Sequence, residues 1–186
     1  MSKNCIQIMS RNMCIHKLKQ KLEKKCIIIS INDFNYKRED LPQNKDVIDI
    51  LRLEFDDIDR VIIQDGVIKN KPISNIDTIK IKNFFFKYIN LLRNEQIDLW
   101  VHCTMGVSRS AAVAFILAKY LYGDDLYLFE TGDYVPLKYI YIKMSETFGM
   151  KFSEEEFYKK KKISSEVLRK KMTTFTKEKN GVIKFI

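Results

Sequence analysis

The stretch Val101-His102-Cys103-Thr104-Met105-Gly106-Val107-Ser108-Arg109-Ser110 decides the fold. It sets a thiol and a guanidinium six residues apart, and the flanking sequence says how the chain presents them. Ile97 to Val101 (IDLWV) reads as a short buried strand. Ser110 to Tyr122 (SAAVAFILAKYLY) reads as a strongly apolar helix with Gly123 as its stop. A loop between such a strand and helix leaves its backbone N–H groups without a regular partner. They can converge on one anion, reinforced by the positive end of the helix dipole. The oxygens of a phosphate are the natural occupant.

Each residue type in the loop has a chemical part to play. A free cysteine titrates near ~8.5, and an electropositive cup of amides and guanidinium can bring it to roughly 3.5–7.5, which makes Cys103 a nucleophile at neutral pH. Arg109 offers a planar fork that binds two phosphoryl oxygens and follows them through a trigonal-bipyramidal geometry, where lysine would supply charge alone. Ser110 can donate its hydroxyl to the sulfur when the thiolate must leave. The N–H groups of Thr104, Met105, Gly106, Val107, Ser108 and Arg109 are the candidate phosphate cradle. Gly106 gives the turn its backbone freedom, and His102 is expected to orient the loop rather than act as a base.

His102-Cys103-x5-Arg109-Ser110 resembles the signature of the cysteine-dependent protein tyrosine phosphatases, and Gly106-Val107-Ser108-Arg109-Ser110-Ala111-Ala112 looks like their dual-specificity branch. The resemblance implies hydrolysis of phosphotyrosine, and also of phosphoserine or phosphothreonine, through a phosphocysteine. It implies no cofactor and no metal. A general acid is needed as well, to protonate the leaving oxygen and then activate water. In the resembled family it is an aspartate just beyond a strand upstream of the signature. Here Val47 to Phe55 (VIDILRLEF) reads as that strand and runs into Asp56-Asp57-Ile58-Asp59. The family pattern matches best with Asp57 as the acid, with Asp56, Asp59 and Asp65 as alternatives. Asp57 lies 46 residues before Cys103, further than is usual in small members of the family. The excess falls in residues 60–72, where the turn signals Asp65-Gly66 and Lys71-Pro72 indicate a longer loop.

Other segments complete an α/β pattern. Cys5 to Met9 and Cys26 to Ile31 read as strands, Met13 to Lys24 as a basic helix between them, and Asn75 to Arg93 as an amphipathic helix leading back to the cysteine strand. The alternation predicts a central, mostly parallel sheet of about four to five strands flanked by helices. Phe84-Phe85-Phe86 is read as core. Asp133 to Phe148 is expected to form a helix with Pro136 in its first turn. Its Tyr134-Val135-Pro136 stretch resembles one found in bacterial and viral members of the group.

From Lys151 the composition changes to an acidic cap, Ser153-Glu154-Glu155-Glu156, followed by Lys159 to Lys162 and Arg169-Lys170-Lys171. The expected organisation is a catalytic domain over residues 1–150 and a basic, helical extension over 151–186, outside the catalytic core. That extension could dock an acidic partner or nucleic acid. With 186 residues, 46% hydrophobic, the chain has room for one good core. No apolar run reaches the roughly 18 residues of a membrane span, and the first residues lack a secretory signal's apolar centre. A cytoplasmic protein is expected, or a nuclear one in a eukaryotic or viral setting. Cys5, Cys14, Cys26 and Cys103 have neither zinc nor disulfide spacing.

The net charge of +9 favours anionic substrates without choosing among them. Thr104 to Ser108 holds no lysine, which argues against a phosphoinositide phosphatase of the superfamily. An RNA 5′-triphosphatase of the superfamily shares the His-Cys-Thr opening, but it tends to have asparagine and glycine where this chain has Ser108 and Ala111. A pseudophosphatase that binds phosphate without turnover is the reading from a different class.

Overall fold

The computed structural model describes residues 5–37 and 40–179. Four strands, β1 (Ile6–Ser10), β2 (Cys26–Asn32), β3 (Val47–Glu54) and β6 (Asp98–Cys103), form an all-parallel sheet in the order β1-β6-β2-β3. The expected α/β architecture is therefore the one observed. β6 is inserted last between β1 and β2, so Cys103 ends a central strand where the strand order reverses. That is where open α/β sheets bind their ligands.

The sheet is covered on both faces, which is why β2 (CIIISIN) is almost continuously apolar. Ile27, Ile29 and Ile31 face the larger core under helices α2 (Asn75–Arg93), α3 (Arg109–Tyr122) and α5 (Lys138–Thr147). Cys26 and Ile28 face the smaller one, with Trp100, Met9, Cys14 and Leu18. α2 has the predicted bounds because Ser74 caps it reciprocally with Asp77. Phe84 and Phe85 are core as expected, whereas Phe86 is 37% exposed. α3 is buried along Ala111 to Ala118 and ends at Gly123.

Four segments differ from the sequence expectation. Helix α1 (Arg11–Leu18) stops six residues before Lys24. The lysine-rich stretch that follows offers a single apolar side chain, Leu22, to the smaller core, and Asn44 Nδ2 donates to the carbonyls of Leu18 (2.9 Å) and Gln20 (2.8 Å). The long loop over residues 60–72 contains an antiparallel hairpin, β4 (Ile62–Gln64) and β5 (Val67–Asn70). Its turn is Asp65-Gly66, both with positive φ (51° and 72°), the primed geometry that matches strand twist.

Helix α5 starts at Lys138 rather than Asp133, and Pro136 precedes it. The residue before a proline avoids the helical region, and Val135 N–H is instead engaged by Val107 O at 3.0 Å. The basic extension, expected outside the core, is one helix, α6 (Glu154–Lys179), whose first turns pack on it. Phe157 is buried against Phe129 and Tyr141, beside the short helix α4 (Leu126–Phe129).

Candidate active site

β6 delivers Cys103 to the sheet's carboxyl edge, and the chain turns through Thr104–Ser108 into the first turn of α3. The register pairs Cys103 with Ser10 and His102 with both Met9 and Ser30. His102 is fully buried at the base of the loop. Gly106 (φ 76°) brings the loop hard against the β1–α1 junction: a Cβ there would lie 2.4 Å from Met9 C and from Ser10 N. No side chain fits that approach. Met105 is 73% exposed and Val107 37% exposed, so both side chains face outward from the loop.

Cys103 is 2% exposed, and its Sγ accepts the Gly106 N–H at 3.2 Å and lies 3.2 Å from Ser110 Oγ. Burial is the largest single influence on this thiol and raises its pKa. The Ser110 hydroxyl, the N–H groups of Ser110 and Gly106, and the Arg109 charge together outweigh burial, so the pKa lies below the ordinary value. The other thiols go the opposite way. Burial raises Cys5, and it pushes Cys14 and Cys26 up to about 12.

Arg109 is buried and held from two sides. Its Nη1 donates to Phe55 O at 2.9 Å and its Nη2 to Thr104 Oγ1 at 3.0 Å. Its Nη2 also lies 2.6 Å from Asp33 Oδ1. Asp33 follows β2 directly and was not singled out by the sequence reading. The available signal was its position: an acidic residue just past a buried parallel strand points to the end of the sheet where ligands bind.

The four candidate aspartates separate clearly. Asp57 is exposed and accepts the Ser108 hydroxyl on Oδ1 at 2.8 Å, so it is tied to the loop itself. Asp56 is buried and accepts from Phe34 N (3.1 Å), Asn70 Nδ2 (3.1 Å) and Lys71 N (3.0 Å). It fastens the hairpin to the chain beyond β2. Asp59 is exposed, and Asp65 occupies the hairpin turn. Among the described residues, no group of three or more His, Cys, Asp or Glu is placed to hold a metal ion.

No protein-family model matches this sequence, and no curated protein sequence does. Solved structures do match. The chain is similar to PTPMT1 in complex with PI(5)P, with 18% identity, a TM-score of 0.51, and coverage of 79% of this chain and 94% of that one. It is also similar to DUSP15, with 17% identity, a TM-score of 0.46, and coverage of 91% and 94%. Human DUSP28 follows with 13% identity, a TM-score of 0.42, and coverage of 91% and 96%. At 18% identity the likeness to PTPMT1 is one of architecture: this chain shares its α/β fold.

Proposed function

We propose that this protein is a phosphatase that hydrolyses phosphotyrosine in proteins, and phosphoserine or phosphothreonine where its cleft admits them, through a phosphocysteine. One observation carries the reading. The Cys103 sulfur, the Ser110 hydroxyl, the buried Arg109 and the Asp57 carboxylate all converge on one loop at the end of a central parallel strand.

In this reading a phosphomonoester dianion sits in the cup, held by Arg109 and the N–H groups of residues 104–109. The Cys103 thiolate attacks phosphorus in line, and the ester bond breaks as Asp57 protonates the leaving oxygen. Asp57, now a carboxylate, takes a proton from water as that water attacks the phosphocysteine, and the Ser110 hydroxyl eases departure of the thiolate. His102 anchors the loop. Arg109 and the helix end supply the charge stabilisation, so the step runs on the protein's own groups without a metal.

The substrate is a phosphoprotein, and the outer face of α6 is available to an acidic partner or nucleic acid. The cytoplasm, or the nucleus, is the compartment that suits a catalytic thiolate. Among the described residues, no helix is long and apolar enough to cross a membrane.

The test is metal-free phosphate release by wild-type and Cys103→Ser protein from a phosphotyrosine peptide, a phosphothreonine peptide and a 5′-triphosphorylated RNA. Cys103-dependent release from peptides is expected. Release mainly from RNA would replace this reading with a triphosphatase, and phosphate binding without release would replace it with a phosphate-binding module.

A further inference from the structure

The middle of α6 carries Ser164, Val167, Leu168 and Lys171 at the i, i+3, i+4, i+7 spacing of a single helix face. All four meet the segment between α4 and α5. Ser164, 4% exposed, donates its hydroxyl to Tyr134 O at 3.1 Å. Gly132 lies so close that a Cβ there would come within 2.8 Å of Val167 Cγ1 and 2.9 Å of Leu168 N. Lys171 Nζ reaches Asp133 Oδ1 at 2.7 Å, an exposed pair that adds little holding energy. Tyr134 also sets its ring edge-on to Phe115 of α3, with centroids 5.9 Å apart. The next residue, Val135, donates its N–H to Val107 O at 3.0 Å.

Val107 lies between two residues that the proposed reaction uses. These are Gly106, whose N–H the Cys103 sulfur accepts, and Ser108, whose hydroxyl binds Asp57. In a trans peptide unit the carbonyl and the following N–H point to opposite sides. Acceptance of the Val135 N–H by Val107 O therefore opposes rotation of that unit and turns the Ser108 N–H away from residues 132–135. In the phosphatase reading that N–H is a donor to the bound oxyanion. A preorganised donor of this kind is worth most when it is aimed before the charge arrives.

We propose that Ser164 is a positioning residue of the site: through Tyr134 and Val135 it holds the peptide unit of Val107 and Ser108 with its N–H directed at phosphate, which makes α6 a working part of the cradle. This rests on the phosphatase reading of the loop.

Protection of Cys103 from iodoacetamide by inorganic phosphate reads binding apart from turnover. Ser164→Ala is expected to weaken that protection about 3- to 10-fold, the effect of one hydrogen bond, and to lower kcat/KM on a phosphotyrosine peptide in proportion. Ser164→Thr keeps the hydroxyl and is expected to restore both. Val135→Pro removes the N–H itself and is expected to weaken protection about 10-fold or more. Adding Ser164→Ala to it should cost little further, because the hydroxyl acts through that bond.

The alkylation pH profile of Cys103 separates mispositioning from collapse. Burial, Ser110, Gly106 and Arg109 act on that thiol. The profile is therefore expected to stay in place in Ser164→Ala, whereas a collapsed loop would withdraw the Gly106 N–H and move it to higher pH. Wild-type protection in Ser164→Ala or in Val135→Pro, independent multiplication of the two losses, or an upward alkylation shift in Ser164→Ala would each overturn the proposal. Absence of phosphate protection in the wild-type protein would overturn the phosphatase reading and this inference with it.

Discussion

Ser108 Oγ donates to Asp57 Oδ1 across 2.8 Å, so the residue just before the first turn of α3 holds Asp57 against the loop that follows Cys103. Asp56, its neighbour, points away and binds three nitrogen donors, from Phe34, Asn70 and Lys71. Adjacent aspartates therefore have separable parts. Asp57→Ala is expected to lower kcat by about 10²–10⁴ on peptide substrates, the contribution of a general acid. The deficit should shrink for an aryl phosphate whose leaving group needs no proton. Asp56→Ala is expected to lose at least about 2 kcal/mol of stability by stranding buried donors, and Asp59→Ala to stay within about 0.5 kcal/mol of wild type. Steady-state kinetics and urea unfolding on the three variants check this. A silent Asp57→Ala beside a crippled Asp59→Ala would reassign the acid.

Gly106 should accept no side chain. Its φ of 76° and the 2.4 Å approach a Cβ would make to Met9 C and Ser10 N require the loop to shift. That shift also withdraws the N–H that Cys103 Sγ accepts. Gly106→Ala is expected to cut kcat/KM by roughly 10² or more while far-ultraviolet circular dichroism stays unchanged, since residues 104–108 are neither helix nor strand.

The thiols should separate by pH. Cys103 is lowered below its ordinary value, while Cys5 is raised and Cys14 and Cys26 stand at about 12. A lowered pKa means that the thiolate persists as pH falls, so iodoacetamide at neutral pH should label Cys103 alone, as read by peptide mass. Dilute peroxide should inactivate the protein at the same residue. Ser110→Ala removes a hydrogen bond to the sulfur and should move the labelling profile to higher pH.

Helix α6 should fasten to the core through Lys160. Its Nζ meets Asp125 Oδ1 at 2.6 Å, Glu156 Oε1 at 2.8 Å and Asp124 Oδ1 at 3.0 Å, and Tyr141 Oη donates to Asp125 Oδ2 at 2.7 Å. Asp125 is fully buried, so Lys160→Ala leaves an uncompensated charge and is expected to cost about 3–5 kcal/mol. Burial raises the Asp124 pKa, but its hydrogen bond with Lys160 and other influences bring the net value below normal. The Lys160 hydrogen bond leads in lowering Glu156. Carboxyls lowered in the folded state stabilise it above their unfolded pKa of about 4 and lose that effect as pH falls through the folded values. The thermal midpoint should therefore drop below about pH 4, and by less in Lys160→Ala.

The sheet was legible because its physics is local: a strand buried on both faces reads as CIIISI, and a capped helix announces itself at Ser74 and Asp77. The cup was legible for the same reason, since Cys103, Arg109 and Ser110 fall on one short loop. What escaped depends on contacts distant in sequence. Asp33 gains its place only when β2 lies beside β6, 71 residues from Thr104. Residues 133–137 look helical until Val135 is drawn to Val107. The hairpin's turn was visible at Asp65-Gly66, but Ile62, Ile63, Val67 and Ile68 are all exposed and show no alternation of buried and solvated positions to mark them as strands.

The most direct measurement is acid-quenched peptide mass analysis of protein mixed with excess phosphotyrosine peptide. One phosphoryl group is expected on the Cys103 peptide, absent from Cys103→Ser and accumulated in Ser110→Ala, where departure of the thiolate is slowed. Turnover with no phosphorylated Cys103, or with the phosphoryl group on another residue, would contradict it.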